Sequence, residues 1–379
     1  MTTGNTAPNL PTLRARRGPL FGMALIVTAL GSATFSTSAS PQLATAPPPP
    51  PGCVAEGDIS YICGQQAPED LIPVAGTKWV IASSLTGGGL RAVDRSNGKT
   101  TLLYPRANAN ARLDTQTYGN CPGPVKLGAS GRYDTHGLAL RRDKAGKLTL
   151  LVVHHGDRES IEIFTLALGS RAPVATWVGC VIAPEPLSLN SVASLPDGGF
   201  ITSNISNGGP MVPAQWAKMM AGENTGDLWE WHPGKGWSKI AHSDGSGPNG
   251  VEVSEDGKWI FFAAWGGRTL SRLSREGTTK PDVVALDFQL DNIRFGPDGL
   301  LYGGGQGKDS TTIIRVDPVT LAVTKIRSWP NTPSFGSGTI GLPVGREIWV
   351  GSYRGDRIAR FPATDGAVRS QSPLQGKQH

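Results

Sequence analysis

Eight side chains in this 379-residue chain have types and spacing that could do chemistry. Glu69, His136, Asn190, Asn249, Asp291 and Ser337 each head a stretch with one grammar: a polar residue, alternating apolar residues, a turn, then a second β-rich run. Asp70 and Asn292 directly follow two of them. Carboxylates and amide carbonyls are hard oxygen donors, of which calcium gathers about six to eight. One histidine and no cysteine among the six speak against zinc. His136 adds a base whose type titrates near neutral pH. A single Asn, Asp or Ser where a loop enters a strand usually caps the backbone. Turn chemistry does not require a Glu or a His at the same repeat position.

The elements that must position these residues are legible as repeats. "NSVASLPDGGFITSN" begins at Asn190, "NGVEVSEDGKWIFFAA" at Asn249, and "LDNIRFGPDGLLYGG" surrounds Asp291. Asp143, Asp197, Asp256 and Asp298 each lie seven residues after His136, Asn190, Asn249 and Asp291, and Gly76 and Gly345 mark the turns after Glu69 and Ser337. Each copy reads as strand, tight turn, strand. The six heads average about 54 residues apart. A hairpin cannot bury both faces alone, and repeated β-units of ~40–50 residues predict a propeller. The expectation is an all-β fold, a six-bladed β-propeller with four-stranded blades and calcium in the central channel. It fills residues 53–375 as one domain, with a tail at 376–379. Fifty Gly and thirty Pro suit such a chain of short strands and turns. Because blades repeat around one axis, the six heads should form a ring.

The net charge of +6 is mild, and basic residues cluster only at Arg14, Arg16 and Arg17. Without basic stripes interleaved with aromatics, nucleic-acid binding is disfavoured; no obligate protein partner is evident. "RARRGPL" followed by "FGMALIVTALGSA" reads as a signal peptide over 1–39, and "APPPPPG" closes a Pro-rich linker over 40–52. The chain is therefore expected to be exported, to a periplasm or the extracellular space, with an uncleaved N-terminal anchor as the alternative. Export permits disulfides. Cys53, Cys63, Cys121 and Cys180 allow three connectivities; Cys53–Cys63 with Cys121–Cys180 is preferred, and one pair staying reduced is the alternative.

Six stretches, "PEDLIPV", "DTHGLAL", "LLVVHH", "LNSVASLPDGGFITSN", "PNGVEVSEDGKWIFFA" and "LDNIRFGPDG", resemble in order and spacing the paraoxonases, which are arylesterase and lactonase proteins. Their wider superfamily of six-bladed propellers includes gluconolactonases and strictosidine-synthase-like proteins. The resemblance runs from about Glu69 to Gly305 and fades in the last blade. It implies a catalytic calcium held by Glu69, Asn190, Asn249, Asp291 and Asn292, and a histidine pair at His136 and His155, with His154 adjacent. It also implies a second, structural calcium, for which Asp70 and the Leu138 carbonyl match, while Ser191 stands where a third acid belongs. The family's disulfide between the two ends of the chain has no counterpart, because no cysteine follows Cys180. The segment 204–234 falls where the family has an active-site wall, and Trp216, Met219, Met220 and Trp229 suit a hydrophobic lactone or ester; a plain surface helix is the other reading.

The activity so implied is a calcium-dependent hydrolysis of lactones or aryl esters, with His136 as base and His155 as relay. No "GxSxG" elbow is present, which disfavours a serine hydrolase. The alternatives are a gluconolactonase-like sugar-lactone hydrolase and a non-catalytic, calcium-containing binding scaffold.

Overall fold

In the computed structural model the described residues are 52–363, apart from 108, 128–130, 170 and 278. The expected signal peptide over 1–39, the expected linker up to residue 51, and the end of the expected domain with its tail at 376–379 lie outside them. Among the described residues twenty-five strands form six sheets. The innermost strands of blades 1 to 6 are Leu71–Pro73, Asp134–Arg142, Leu189–Ser194, Pro248–Val253, Gln289–Phe295 and Gly338–Val344. From each, three more strands follow outward in antiparallel meander. Blade 2 carries a fifth strand, the two-residue Asn110–Ala111, parallel to its outer edge. In blade 6 the outermost strand is Ser60–Cys63, which precedes blade 1 in the chain and pairs with Arg357–Pro362. The ring is closed by joining the two ends of the described chain within one sheet.

Both faces of a blade are covered by its neighbours, so strands read as continuous apolar runs rather than alternating ones. Leu148–His155 is buried over its first seven residues. Trp177, Trp349, Tyr133, Tyr302 and Phe164 are fully buried between sheets. Each buried aliphatic or aromatic side chain contributes about 1.5–3 kcal/mol relative to exposure.

The repeated turns fix the hairpin register. Asp197 Oδ1 accepts the Gly199 N–H (3.2 Å), Asp256 Oδ1 that of Lys258 (3.1 Å), and Asp298 Oδ1 that of Leu300 (3.3 Å). The glycine after each aspartate sits at positive φ, where an added Cβ would be strained.

A second regularity matters more for function. The innermost strands of blades 2 to 6 share a β-bulge at the same height. In blade 3, Leu189 pairs with Asn204 and Val192 with Thr202, so Asn190 and Ser191 together oppose one residue. The same register puts His136-Gly137, Asn249-Gly250, Asp291-Asn292 and Thr339-Ile340 at the bulges of blades 2, 4, 5 and 6. In blade 1, Glu69-Asp70 lie directly before Leu71, which pairs with Ala82, and Asp70 O accepts the Ser83 N–H. A bulge bends its strand and re-aims its side chains. One expectation is corrected here: the sixth position belongs to Thr339, not Ser337. The last hairpin closes through the two-residue turn Gly345-Arg346, so counting back from that turn overshoots.

The two described disulfides are Cys53–Cys63 and Cys121–Cys180, which fits an oxidising compartment. Among the described residues no helix is long and apolar enough to cross a membrane.

Candidate active site

Each bulge places two residues opposite one, and in blades 2 and 4 the second of the two is a glycine whose backbone lies against the next blade. An added Cβ on Gly137 would lie 2.5 Å from Ser191 Cα, and one on Gly250 would lie 2.5 Å from Asp291 O. Glycine at these two positions is what lets neighbouring innermost strands approach. The first member of each pair then faces the channel, joined in blade 5 by the second, Asn292.

Glu69, Asn190, Asn249, Asp291 and Asn292 are all buried. Asn292 Nδ2 donates to Glu69 Oε1. Gln306 Nε2 donates to Asp291 Oδ2 (2.8 Å) and to Gly338 O (2.7 Å), tying blade 5 to blade 6. Four oxygens of this group have no partner: Glu69 Oε2 and the Oδ1 atoms of Asn190, Asn249 and Asn292. A buried acceptor without a donor costs roughly 1–3 kcal/mol, so four in one channel suit a bound cation. The donor chemistry, two carboxylates and three amides, fits calcium. Among the described residues no group of three or more His, Cys, Asp or Glu could hold a metal; here amides supply most of the oxygens. Burial raises the pKa of Asp291 to about 8, with Glu69 nearby adding to the shift. Burial, then the Asp70 charge, pushes Glu69 well above the usual carboxylate range. Without a cation, two acids this close resist ionising together.

His136, from the bulge of blade 2, sits beside this group, its Nε2 3.6 Å from Glu69 Oε1. Its Nδ1 is 2.9 Å from His155 Nε2, and His155 Nδ1 is 2.9 Å from Glu159 Oε2. Glu159 Oε1 accepts the Leu189 N–H (2.6 Å), which locks the carboxylate to blade 3. The chain of bonds sets the tautomers. A Glu159 carboxylate only accepts, so His155 Nδ1 carries hydrogen and its Nε2 accepts from His136 Nδ1–H. His136 Nε2 is then the unprotonated nitrogen, turned toward the ring. Burial lowers the His136 pKa, which favours this neutral form. His154 points to the other face of its strand, stacks on Tyr133 (4.5 Å between centroids) and bonds Asp134 O. It is His155, and not His154, that bonds His136.

The segment between the second and third strands of blade 3 carries the helix α1, Pro213–Met220, with proline in its first turn. Trp216 is 47% exposed and stacks on Trp265 at 5.4 Å. Trp265 Nε1 donates to Gln306 Oε1 (2.6 Å), the same Gln306 that holds Asp291. Met220, 51% exposed, lies against Gln289 at the entry of blade 5. Trp216, Met220 and Trp265 therefore stand on the ring side of the molecule. Met219 is fully buried, in a slot left by Gly247 and Gly266, and anchors the helix instead of lining anything. Trp229 lies in the third strand of blade 3, two strands out from the channel, with its indole on Asp227. Sequence reasoning missed Glu159, Gln306, Trp265 and Thr339. Thr339 has a signal in the register; the other three reach the site only by side-chain contact.

No protein-family model matches the chain, and no curated protein does. Solved structures match it. A gluconolactonase of Xanthomonas campestris aligns over 81% of this chain and 89% of its own, at 16% identity and a TM-score of 0.50. The two share a fold. A luciferin-regenerating enzyme aligns over 82% of this propeller and 98% of its own chain, at 14% identity and a TM-score of 0.51. The major allergen Mala s 1 of Malassezia sympodialis aligns over 86% and 99%, at 12% identity and a TM-score of 0.53. At such identities the likeness is one of fold.

Proposed function

We propose that this propeller is an exported hydrolase of lactones and aryl esters that works with calcium. The observation that carries the reading is the set of four buried, partnerless oxygens beside the free nitrogen of a His–His–Glu chain. Glu69, Asn190, Asn249, Asp291 and Asn292 would hold the ion. Bound there, calcium would draw electron density from an ester carbonyl and stabilise the oxygen as it gains charge. The chain's own residues do the rest. His136 Nε2 takes the proton of the attacking water; the His136 Nδ1 proton can then pass to His155, whose ring is held by Glu159. Trp216, Met220 and Trp265 offer an apolar seat that favours lactones and esters with hydrophobic substituents over sugar lactones. The second calcium implied by the family resemblance is not part of this proposal.

The test is hydrolysis of a panel of aliphatic lactones, aryl esters and sugar lactones, with calcium and after chelation. Calcium-dependent turnover of the apolar substrates is expected, with kcat down about 100-fold or more in His136→Gln. Asn249→Ala should lose both metal and activity. Turnover that ignores chelation, or none on any substrate, would sink the proposal. Preference for sugar lactones would leave the chemistry and reassign the wall.

A further inference from the structure

The channel holds a second set of buried oxygens, below the ring, and it is already satisfied. Asp70 is fully buried. Its Oδ1 accepts the Leu71 N–H (2.8 Å), and its Oδ2 accepts the Leu138 N–H (2.8 Å) and Arg294 Nη2 (2.7 Å). The same Arg294 nitrogen donates to Leu138 O (2.9 Å). Arg294 Nη1 lies 3.9 Å from Glu252 Oε2. Ser191 stands on the third side, where its Oγ accepts the Val251 N–H (3.4 Å).

We infer that Arg294 is a tethered cation occupying the lower channel, so that this chain takes up one divalent ion where the resembling family has two. The upper and lower sets serve as controls for each other. In the upper set four oxygens lack donors. In the lower set neither Asp70 oxygen does, because one guanidinium nitrogen reaches the carboxylate and the carbonyl that the family resemblance assigns to the ion. Calcium would need those two oxygens at about 2.3–2.6 Å together with four or more others. The guanidinium and the ion cannot share that space, and Ser191 brings no third acid. The residues present do not fit a second calcium. They fit a planar donor with a fixed positive charge, a role arginine fills better than lysine.

The consequence is a separation of roles. A bound structural ion leaves when free calcium falls; an arginine cannot. The joint between blades 1, 2 and 5 should therefore survive chelation, while the upper site empties. The count of one rests on the proposed upper ion; the role of Arg294 does not.

Calcium stoichiometry of the full chain, by calorimetric titration of metal-stripped protein, is the first arm. Thermal unfolding of wild type, Arg294→Gln and Arg294→Lys in chelator is the second. One ion per chain and a lowered midpoint in Arg294→Gln, with Arg294→Lys in between, support the inference. If Arg294→Gln does not fold, Arg294→Lys folding in chelator with a lowered midpoint serves the same purpose. Two ions in wild type overturn it, as does an unchanged midpoint in both variants. No ion in wild type, with the midpoints lowered as expected, removes the proposed hydrolytic metal and leaves Arg294 as the resident cation.

Discussion

Glu159 shows how far the site extends beyond the residues that face the channel. One of its oxygens fixes a ring nitrogen of His155 and the other a backbone N–H of blade 3. It touches no reacting atom, so its role is positioning. Glu159→Gln keeps an oxygen for one bond and removes the charge behind His155. The expected result is a fall in kcat of about 10–100-fold, little change in KM, and a displaced pH profile of kcat/KM, which a merely structural defect would not produce. Steady-state kinetics across pH checks this. The ring residues were legible because type and period coincide: an acid, an amide or a histidine seven residues before a turn is conspicuous when it recurs. Glu159, Gln306 and Trp265 carry no such mark. They act through contacts between strands that are remote in the chain, and periodicity is silent about those. Arg294 stood in view beside Asp291-Asn292, yet only the folded chain shows that it reaches Asp70, on another blade.

At the scale of elements, α1 and the hairpin turns make separate demands. Eight residues are too few to hold a helix in water, so α1 depends on docking. Met219 supplies it, with Ser246 Oγ donating to Met219 O (2.8 Å). Met219→Ala should cost about 2–5 kcal/mol locally. The expected readout is undocking of the helix: a change in Trp216 fluorescence and faster proteolysis within 213–220, with global unfolding nearly unmoved. The turn after the third strand of blade 1 shows the usual acid logic. Lys78, then Ser96, hold the Asp94 carboxyl down to about 2, with Lys78 Nζ at 2.7 Å and the Ser96 hydroxyl at 2.6 Å. Its ordinary value is about 3.9. A lowered carboxylate stabilises fully above the unfolded pKa and loses that contribution as pH falls through the folded one. Asp94→Asn should therefore remove about 1 kcal/mol near neutral pH, discounted because Lys78 is half exposed. The difference from wild type should vanish between about pH 4 and pH 2 in chemical denaturation. The hairpins were readable as elements because their turns carry Asp and Gly. The bulges were not, since an extra residue in a strand leaves the apolar pattern almost intact.

For the whole molecule, what governs is how the circle shuts. The strand that completes blade 6 comes from before blade 1, and Ser60 pairs with Arg360. Roughly 300 residues of chain must be looped before that pairing forms, at an entropic cost that grows slowly with length but delays the step. Until then the outer edge of Arg357–Pro362 is a raw sheet edge, open to any strand of the right sequence. In a concentrated solution of refolding chains the nearest such strand belongs to another copy. Two molecules can then trade their first strands and each satisfy the other's last blade. Refolding at high protein concentration should yield an exchanged dimer, and dilute refolding a monomer, as read by size-exclusion chromatography. A yield independent of concentration would show that the seam zips within one chain before neighbours meet.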